Sequence, residues 1–392
     1  MTDPIHEANA VNHLMDLLSV PGSSGCERAV ADLLRSRLLA AGCAEEWIME
    51  DDAHTRIPGH FEMGNLIVKL PGTVPGDRLM FSGHMDTVPL CRGAVPKREG
   101  GRIVAAGETA LGADNRTACA SMLVLVETLL REQLPHPPLT LIFSVGEEIG
   151  LWGAKEVNPA DLGYPLMGFN IDSGDPRRVI IGAIGAHRWE VHLRGVSAHA
   201  GVHPEQGVSA ALIAARAVAR ISESGYFGLI EKAGRTGTSN VGVIEGGEAT
   251  NQVTDRVLIK GESRSHDPDF LEEITDTIRR TFEDAAASVV SSQGKSGSVE
   301  FICHKDYHSF RISEEESAVT RTVQALNFMG LEAVLEVTNG GLDANFYNLK
   351  GIPTVTLGAG QHHPHTVDEY ADVSEYLTAC RLLLRIVADA AG

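Results

Sequence analysis

Short apolar runs typical of buried strands alternate with helical stretches along most of this 392-residue chain. The strand-like runs are residues 65–70, 78–83, 139–145, 166–171 and 353–358, and the helical stretches are two within residues 7–41, then residues 115–131, 313–329 and 373–389. Such alternation favours parallel strands, because each helix returns the chain across the sheet before the next strand begins. We therefore predict an α/β fold with a mostly parallel central sheet and helices on both faces.

Residues 185–308 follow a different pattern. Strands and two long helices, predicted at residues 205–222 and 270–289, alternate there in the order β-α-β-β-α-β, which forms a self-contained α+β sandwich. The α/β pattern resumes afterwards, and the whole chain exceeds the roughly 250–300 residues at which single cores stop growing. We predict two domains, residues 1–184 with 309–392 and an inserted domain at residues 185–308.

The charge of the chain argues against polyanionic partners. It carries 52 acidic and 33 basic residues, a formal net charge of −19, and no basic run. This charge repels nucleic acid and anionic membranes, so neither is expected as a partner. The N-terminus MTDPIHEANA lacks a signal-peptide pattern, and Glu127 interrupts the most apolar stretch at residues 118–130. We expect a soluble cytoplasmic protein.

The cysteines are scattered and contain no C-x-x-C pair. In a chain of this length they indicate reduced, mostly packed thiols rather than a disulfide framework or a thiolate metal site. They are Cys26, Cys43, Cys91, Cys119, Cys303 and Cys380.

The stretch SGHMDT places His84 and Asp86 where the apolar run at residues 78–83 ends. Two residues apart on an extended chain, their side chains lie on roughly one face. The carboxyl ends of strands are where open α/β sheets bind ligands. The alternative is an ordinary turn with a satisfied hydrogen bond.

Two further motifs carry carboxylates at corresponding positions. Asp114 follows the glycine-containing turn in LGADNRTA and precedes a predicted helix, so its alternative role is that of a helix N-cap. Glu147 and Glu148 follow a strand in FSVGEEIG, where neighbouring side chains point in opposite directions; one could bind a cation while the other faces a water. A solvated loop pair is the alternative.

The last two motifs lie at the ends of later strands. Asp172 ends the run in FNIDSGDP, with an Asx-turn as the alternative. In GAGQHHPHTVDEY, His362, His363 and His365 follow the run at residues 353–358, and a histidine-rich surface segment is the alternative.

Oxygen and nitrogen ligands without thiolate, as these five motifs supply, suit Zn²⁺, Mn²⁺ or Co²⁺. Their number exceeds one tetrahedral shell, so we predict two ions about 3.5–4 Å apart, bridged by one carboxylate.

The motifs GHMDTVP, GADN, GEEIG, NIDSG and HTVDE resemble, in order and spacing, the di-zinc exopeptidase and deacylase family of peptidase T, glutamate carboxypeptidase and acetylornithine deacetylase. NGGLDAN at residues 339–345 is most similar to the peptidase T branch. The resemblance implies two divalent ions, zinc first with cobalt or manganese as alternatives. It further implies that His84 and Asp172 hold one ion, that Glu148 and His365 hold the other, and that Asp114 bridges both.

The resemblance also assigns the surrounding roles. It implies that Glu147 is the general base and that Asp86 hydrogen-bonds the ligand His84, which fits the need to fix the tautomer of a metal-bound histidine. His365 is preferred because it stands four residues before Glu369, and His363 is the alternative. Asn115 and Arg116 depart from the family's Asp-Lys at these positions, which affects only the surroundings of Asp114.

The inserted domain resembles the family's lid, which in some branches also forms dimers. GVSAHAGVHPEQG, GEATNQV and GESRSHD supply His199, Asn251 and Arg264, which match positions that contact the substrate carbonyl and hold its carboxylate. An arginine fork suits a carboxylate because two parallel N–H donors meet two oxygens. Turn formation by His199 and Asn251 and a surface charge for Arg264 are the alternatives.

These assignments predict a metal-dependent hydrolase of amide bonds, first of all an exopeptidase of the tripeptide aminopeptidase type acting on short peptides. The same centre would serve an N-acyl amino acid deacylase or a carboxypeptidase. A non-catalytic metal-binding protein is a further alternative, although the base and the bridging carboxylate are both present. A dehydrogenase is disfavoured because no G-x-G-x-x-G follows the first strand. We expect a homodimer formed through the inserted domain.

Overall fold

The computed structural model describes residues 3–390, which divide into two compact units. Ile184–Phe310 form one unit, and the described residues on either side form the other. The helices are α1 (Glu7–Leu18), α2 (Arg28–Ala40), α3 (Ala113–Arg131), α4 (Trp152–Glu156), α5 (Ala210–Glu223), α6 (Pro268–Ser288), α7 (Ser317–Phe328), α8 (Asp343–Leu349) and α9 (Val373–Ala390). No helix of residues 3–390 is long and apolar enough to cross a membrane.

Strands occur in both units. They are β1 (Ile48–Glu50), β2 (Leu66–Leu70), β3 (Leu79–His84), β4 (Pro96–Glu99), β5 (Arg102–Ala105), β6 (Leu139–Ser144), β7 (Met167–Ser173), β8 (Arg178–Ala183), β9 (Gly185–Arg194), β10 (Gly228–Lys232), β11 (Arg235–Gly246), β12 (Arg256–Ser265), β13 (Ser298–Tyr307), β14 (Phe310–Arg311), β15 (Val334–Thr338), β16 (Thr354–Gly358), β17 (Gln361–His362) and β18 (Tyr370–Asp372).

The first unit is built on a central sheet in the order β1-β2-β6-β3-β7-β16-β8, with β15 beside β8. Its middle strands β6, β3, β7 and β16 are parallel, and β1 and β2 are antiparallel additions at one edge. Every residue of β3, β6 and β16 is buried. Strands buried on both faces require helices on both faces, and the predicted α/β fold with a mostly parallel sheet is confirmed.

The parallel middle strands bring their carboxyl ends to the same edge of the sheet. His84 is the last residue of β3 and pairs in register with Ser144, the last residue of β6. Asp172 lies near the end of β7, and β16 ends at Gly358. Four of the five predicted motifs therefore lie at one edge of the sheet, where β3, β6, β7 and β16 end. The exception is the motif of Asp114, which lies at the start of α3.

The second unit contains one antiparallel sheet in the order β10-β11-β12-β9-β13. Its core joins Trp189 and Ile259 of the sheet to Ile213, Phe270 and Phe282 of α5 and α6. The predicted β-α-β-β-α-β order omitted β10, a five-residue strand in which only Ile230 is buried. A strand with one buried side chain shows no apolar alternation.

Two other details of the structure differ from prediction. Helix α5 begins at Ala210, not at residue 205, because the Ser209 hydroxyl accepts a hydrogen bond from the Leu212 N–H and so caps the helix there. A small sheet in the order β17-β18-β5-β4 was not predicted. Its strands have two to four residues, too few for a periodic pattern.

Candidate metal centre

The seven predicted residues of the first unit lie together at the carboxyl edge of the central sheet. Two groups bring their ligand atoms within 4.8 Å of one another: His84 with Asp114 and Glu148, and His84 with Glu147 and Asp172. These side chains come from β3, α3, β7 and the turn after β6, segments far apart in sequence. His365 joins the first group through Glu148.

Asp114 lies between two histidines. Its Oδ1 is 3.1 Å from Nε2 of His84, and its Oδ2 is 3.6 Å from Nε2 of His365. The N-cap position of α3 is held by Gly112, and Asp114 itself has a non-helical ψ of 99°. The carboxylate is therefore directed at the two imidazoles and not at the helix amides, unlike the N-cap alternative.

His84 is almost completely buried among carboxylates. Its Nε2 lies 3.8 Å from Oδ1 of Asp172 and 4.0 Å from Oε2 of Glu147. Burial alone would lower the pKa of His84, but the charge of Glu147 and hydrogen bonds to the surrounding aspartates raise that pKa well above its usual value. The site therefore attracts positive charge strongly at this position.

The turn after β6 sends neighbouring glutamates to different histidines. Gly146, with a φ of 62°, starts the turn, and an added Cβ there would lie 2.7 Å from the Phe61 ring. Glu147 faces His84, while Oε2 of Glu148 lies 2.9 Å from Nε2 of His365. Burial raises the pKa of Glu148 and raises the pKa of Glu147 well above its usual value.

Asp86 makes more contacts than predicted. Its Oδ1 lies 3.4 Å from Nδ1 of His84, and its backbone carbonyl lies 3.0 Å from the same nitrogen. Its carboxylate also accepts hydrogen bonds from the N–H groups of Glu147 and Glu148 and from the Ser24 hydroxyl. Asp86 thus connects the orientation of the histidine to the backbone of the two glutamates.

The three histidines that follow β16, namely His362, His363 and His365, have distinct environments. His365 contacts Glu148, whose hydrogen bond raises the pKa of the imidazole to about 9. The ring of His363 packs at 5.7 Å against Tyr370, and His362 binds Glu375. Of His365 and its alternative His363, His365 is the one that faces the carboxylates.

Several residues around the centre were not assigned roles from the sequence. Glu369 accepts hydrogen bonds from the N–H groups of three residues around Gly112 and Asp114, and Gln361 donates to Oδ1 of Asp172 at 3.2 Å. Asp343, within the NGGLDAN motif, is buried and accepts a hydrogen bond from Ser144. Each of these contacts joins segments distant in sequence, so no local sequence pattern predicts it.

The donor set fits divalent cations. The side chains of Asp86, Asp114, Glu147, Glu148 and Asp172 are each 13% exposed or less. Buried carboxylates at this density require cations or protons to balance them. Oε1 of Glu148 is buried without a hydrogen-bond partner among the described residues, as expected of an atom placed to bind an ion. Oxygen and imidazole donors suit zinc, manganese and cobalt.

The remaining predicted residues belong to the second unit. The segments of His199 and Asn251 pair, because the Ala200 N–H donates to the Asn251 carbonyl at 2.9 Å. Both Nε and Nη2 of Arg264 bind the Glu262 carboxylate at 3.0 Å. The arginine fork is thus already engaged by a carboxylate from its own strand.

The chain matches known proteins over nearly its full length. Residues 80–389 match Peptidase family M20/M25/M40. The "Uncharacterized protein YqjE" of Bacillus subtilis (strain 168) is 31% identical over 388 residues, covering 99% of this chain and 100% of that protein.

Two solved structures share the fold throughout. A tripeptidase from Staphylococcus aureus subsp. aureus Mu50 is 30% identical, with a TM-score of 0.89, over 99% of this chain and 100% of that chain. The aminopeptidase PepT from Bacillus cereus ATCC 10987 is 32% identical, with a TM-score of 0.87, over 100% of both chains. The chain belongs to peptidase family M20/M25/M40, as a peptidase T-like member.

Proposed function

We propose that this peptidase is a two-metal exopeptidase that removes the N-terminal residue from short peptides. The observation that carries the proposal is the position of Asp114, whose two oxygens are directed at His84 and His365. A carboxylate with one oxygen toward each of two histidines is suited to bridge two ions. His84 with Asp172 would complete one site, and His365 with Glu148 the other.

Bound ions of this kind lower the pKa of a coordinated water toward neutrality and so supply a nucleophile. Glu147 would accept the proton of that water and pass it to the leaving amine. Its carboxylate lies within ligand distance of His84 and Asp172. In this assignment Asp114 completes that ligand set, which leaves Glu147 available as the base. In the metal-free site, burial raises the pKa of Glu147 well above its usual value, and a nearby cation acts in the opposite direction.

The substrate class rests on the relatives. The two solved structures similar over the whole chain are named as a tripeptidase and an aminopeptidase, which favours a free N-terminal peptide over an N-acylated amino acid. The roles that the resemblance implies for His199, Asn251 and Arg264 stay predictions. The guanidinium of Arg264 already binds the carboxylate of Glu262. To hold a substrate carboxylate, Arg264 would have to exchange this partner or bind both carboxylates.

Metal analysis and peptide hydrolysis together test this function. Purified, metal-replete protein should contain about two ions per chain and should release the N-terminal residue from a tripeptide but not from its N-acetylated form. Chelation should abolish the release, and zinc, cobalt or manganese should restore it. Cleavage of the acetylated peptide would instead indicate a deacylase or carboxypeptidase.

The role of Glu147 is tested by Glu147→Gln. Loss of a general base lowers turnover by about 10²- to 10⁴-fold, while the metal content should stay at the wild-type value. Glu46→Gln provides a matched control, because Glu46 is an exposed glutamate of the same unit. Wild-type turnover by Glu147→Gln would refute the assignment of the base.

A further inference from the structure

The segment between α1 and α2 lies against the loop that follows His84. Thr87 donates its backbone N–H to the Gly22 carbonyl at 3.0 Å, and Ser23 and Thr87 form an isolated parallel bridge. The segment has the sequence VPGSSG at residues 20–25, a composition typical of a turn. Its position beside the metal centre gives its polar side chains access to the backbone of the motif loops.

Glu27, at the end of this segment, is completely buried. Its Oε1 accepts hydrogen bonds from the N–H of Gly25 at 2.9 Å and from the N–H of Gly146 at 3.1 Å. Gly146 is the first residue of the turn that carries Glu147 and Glu148. A buried carboxyl oxygen that accepts two backbone N–H groups satisfies both donors and so holds the backbone that carries them.

Ser24 reaches the same turn through Asp86. Its hydroxyl donates to Oδ2 of Asp86 at 2.6 Å. Asp86 in turn accepts the N–H of Glu147 on Oδ1 at 3.0 Å and the N–H of Glu148 on Oδ2 at 3.2 Å. Two buried carboxyl groups therefore accept the three successive backbone N–H groups of residues 146–148. Glu27 belongs to the segment itself, and Asp86 is hydrogen-bonded by Ser24 of the segment.

We propose that Glu27 and Ser24 are positioning residues for the reaction, which fix the turn at residues 146–148 so that the Glu147 carboxylate stays aligned with the metal-bound water. The inference rests on the proposed role of Glu147 as base. The turn begins with a glycine, the most flexible residue type, and the side chain of Glu147 extends from it, so small backbone shifts move the carboxylate. A misplacement of about 1 Å in a reacting group can cost about 10²-fold in rate.

A purely structural role predicts a different result. If Glu27 and Ser24 only attach the segment to the domain, their loss lowers the free energy of unfolding and leaves kcat per folded, metal-loaded molecule unchanged. A positioning role lowers kcat, leaves KM near its wild-type value because no substrate contact is lost, and leaves the metal content unchanged because neither residue is a ligand.

The test compares Glu27→Ala, Glu27→Gln and Ser24→Ala in the full-length, metal-loaded enzyme. For Glu27→Ala we expect kcat for a tripeptide to fall by about 10- to 100-fold, with KM within about twofold of wild type. Glu27→Gln keeps a carbonyl oxygen that can accept both N–H groups, and should recover most of kcat. Ser24→Ala, which removes one hydroxyl and leaves Glu27 intact, should lower kcat several-fold and covers the case in which Glu27→Ala does not fold.

A control variant separates stability from alignment. Asp372 accepts hydrogen bonds from the N–H groups of Ser374 and Glu375 in the first turn of α9. Asp372→Ala removes a carboxylate that binds backbone N–H groups of the same unit but not those of residues 146–148, so it should lower stability and leave kcat unchanged. The inference is overturned if Glu27→Ala and Ser24→Ala keep wild-type kcat, or if their loss of activity follows a loss of bound metal.

The wild-type enzyme is measured first, which distinguishes the two proposals. No chelator-sensitive hydrolysis by wild-type protein would refute the proposed function itself. Wild-type hydrolysis that is sensitive to Glu147→Gln but insensitive to Glu27→Ala and Ser24→Ala would refute only the positioning role.

Discussion

Oε2 of Glu148 lies 2.9 Å from Nε2 of His365, which is a hydrogen-bond distance. This bond raises the pKa of His365 to about 9, so without metal the pair holds a proton at neutral pH. A histidine must be neutral to bind a metal ion. If both residues are ligands of one ion, the proton that joins them must leave when the ion binds.

We therefore predict that zinc binding at pH 7 releases protons and that the apparent affinity rises from pH 6.5 to 9. Titration calorimetry in buffers of different ionisation enthalpy measures the number released. His365→Gln removes the titrating group and should release fewer protons than wild type. Equal proton release by wild type and His365→Gln would show that His365 is not a ligand.

The same pair contributes to the pH dependence of stability in the metal-free protein. The pKa of His365 is higher in the folded than in the unfolded chain, where it is near 6.5, so its contribution to stability is complete below pH 6.5 and is lost as pH rises through 9. The free energy of unfolding of chelated protein should fall over this range. Urea unfolding at several pH values measures it.

Two comparisons make that result specific. His365→Gln should show a smaller fall between pH 6.5 and 9, because its side chain does not titrate. Bound metal should also remove the fall, since the ion replaces the proton. A metal-free wild-type protein that becomes more stable over this interval would contradict the expected sign.

In the proposed assignment Asp114 bridges both ions, which distinguishes it from the ligands of a single ion. Asp114→Asn keeps one oxygen acceptor but loses the charge and the second carboxylate oxygen, so we expect weaker binding at both sites. The affinity should fall by more than the roughly 10- to 100-fold typical of residues that contact ligands rather than metal. Asp172→Asn, which alters only the His84 site in this assignment, should retain one ion. Metal content after dialysis measures both, and two retained ions in Asp114→Asn would contradict bridging.

Local sequence was sufficient for the features that have a local cause. The apolar runs predicted the middle strands, and the polar residues that end them lie at one edge because parallel strands share their carboxyl ends. The contact of Glu27 with Gly146 spans 119 residues and that of Ser24 with Asp86 spans 62. No periodicity or spacing encodes such a contact, and GSSG is equally typical of an ordinary turn.

Glu369 offers a second test of how the centre is supported. Its carboxylate is buried and accepts the N–H groups of Leu111 and Gly112 at 2.8 Å and of Asp114 at 2.9 Å. From the sequence it served only to select His365. In the structure it binds the backbone that carries Asp114, the proposed bridging ligand.

We predict that Glu369→Ala lowers both stability and metal affinity. It leaves three backbone donors without their acceptor, and each unsatisfied buried donor costs about 1–3 kcal/mol unless water reaches it. The loss of stability should also be seen in chelated protein, because the hydrogen bonds do not depend on bound metal.

Asp368→Ala is the matched control, since Asp368 is the exposed neighbouring carboxylate. Urea unfolding and zinc titration measure both effects. If Glu369→Ala binds zinc as tightly as Asp368→Ala, the backbone before Asp114 holds its position without Glu369, and the carboxylate serves stability alone.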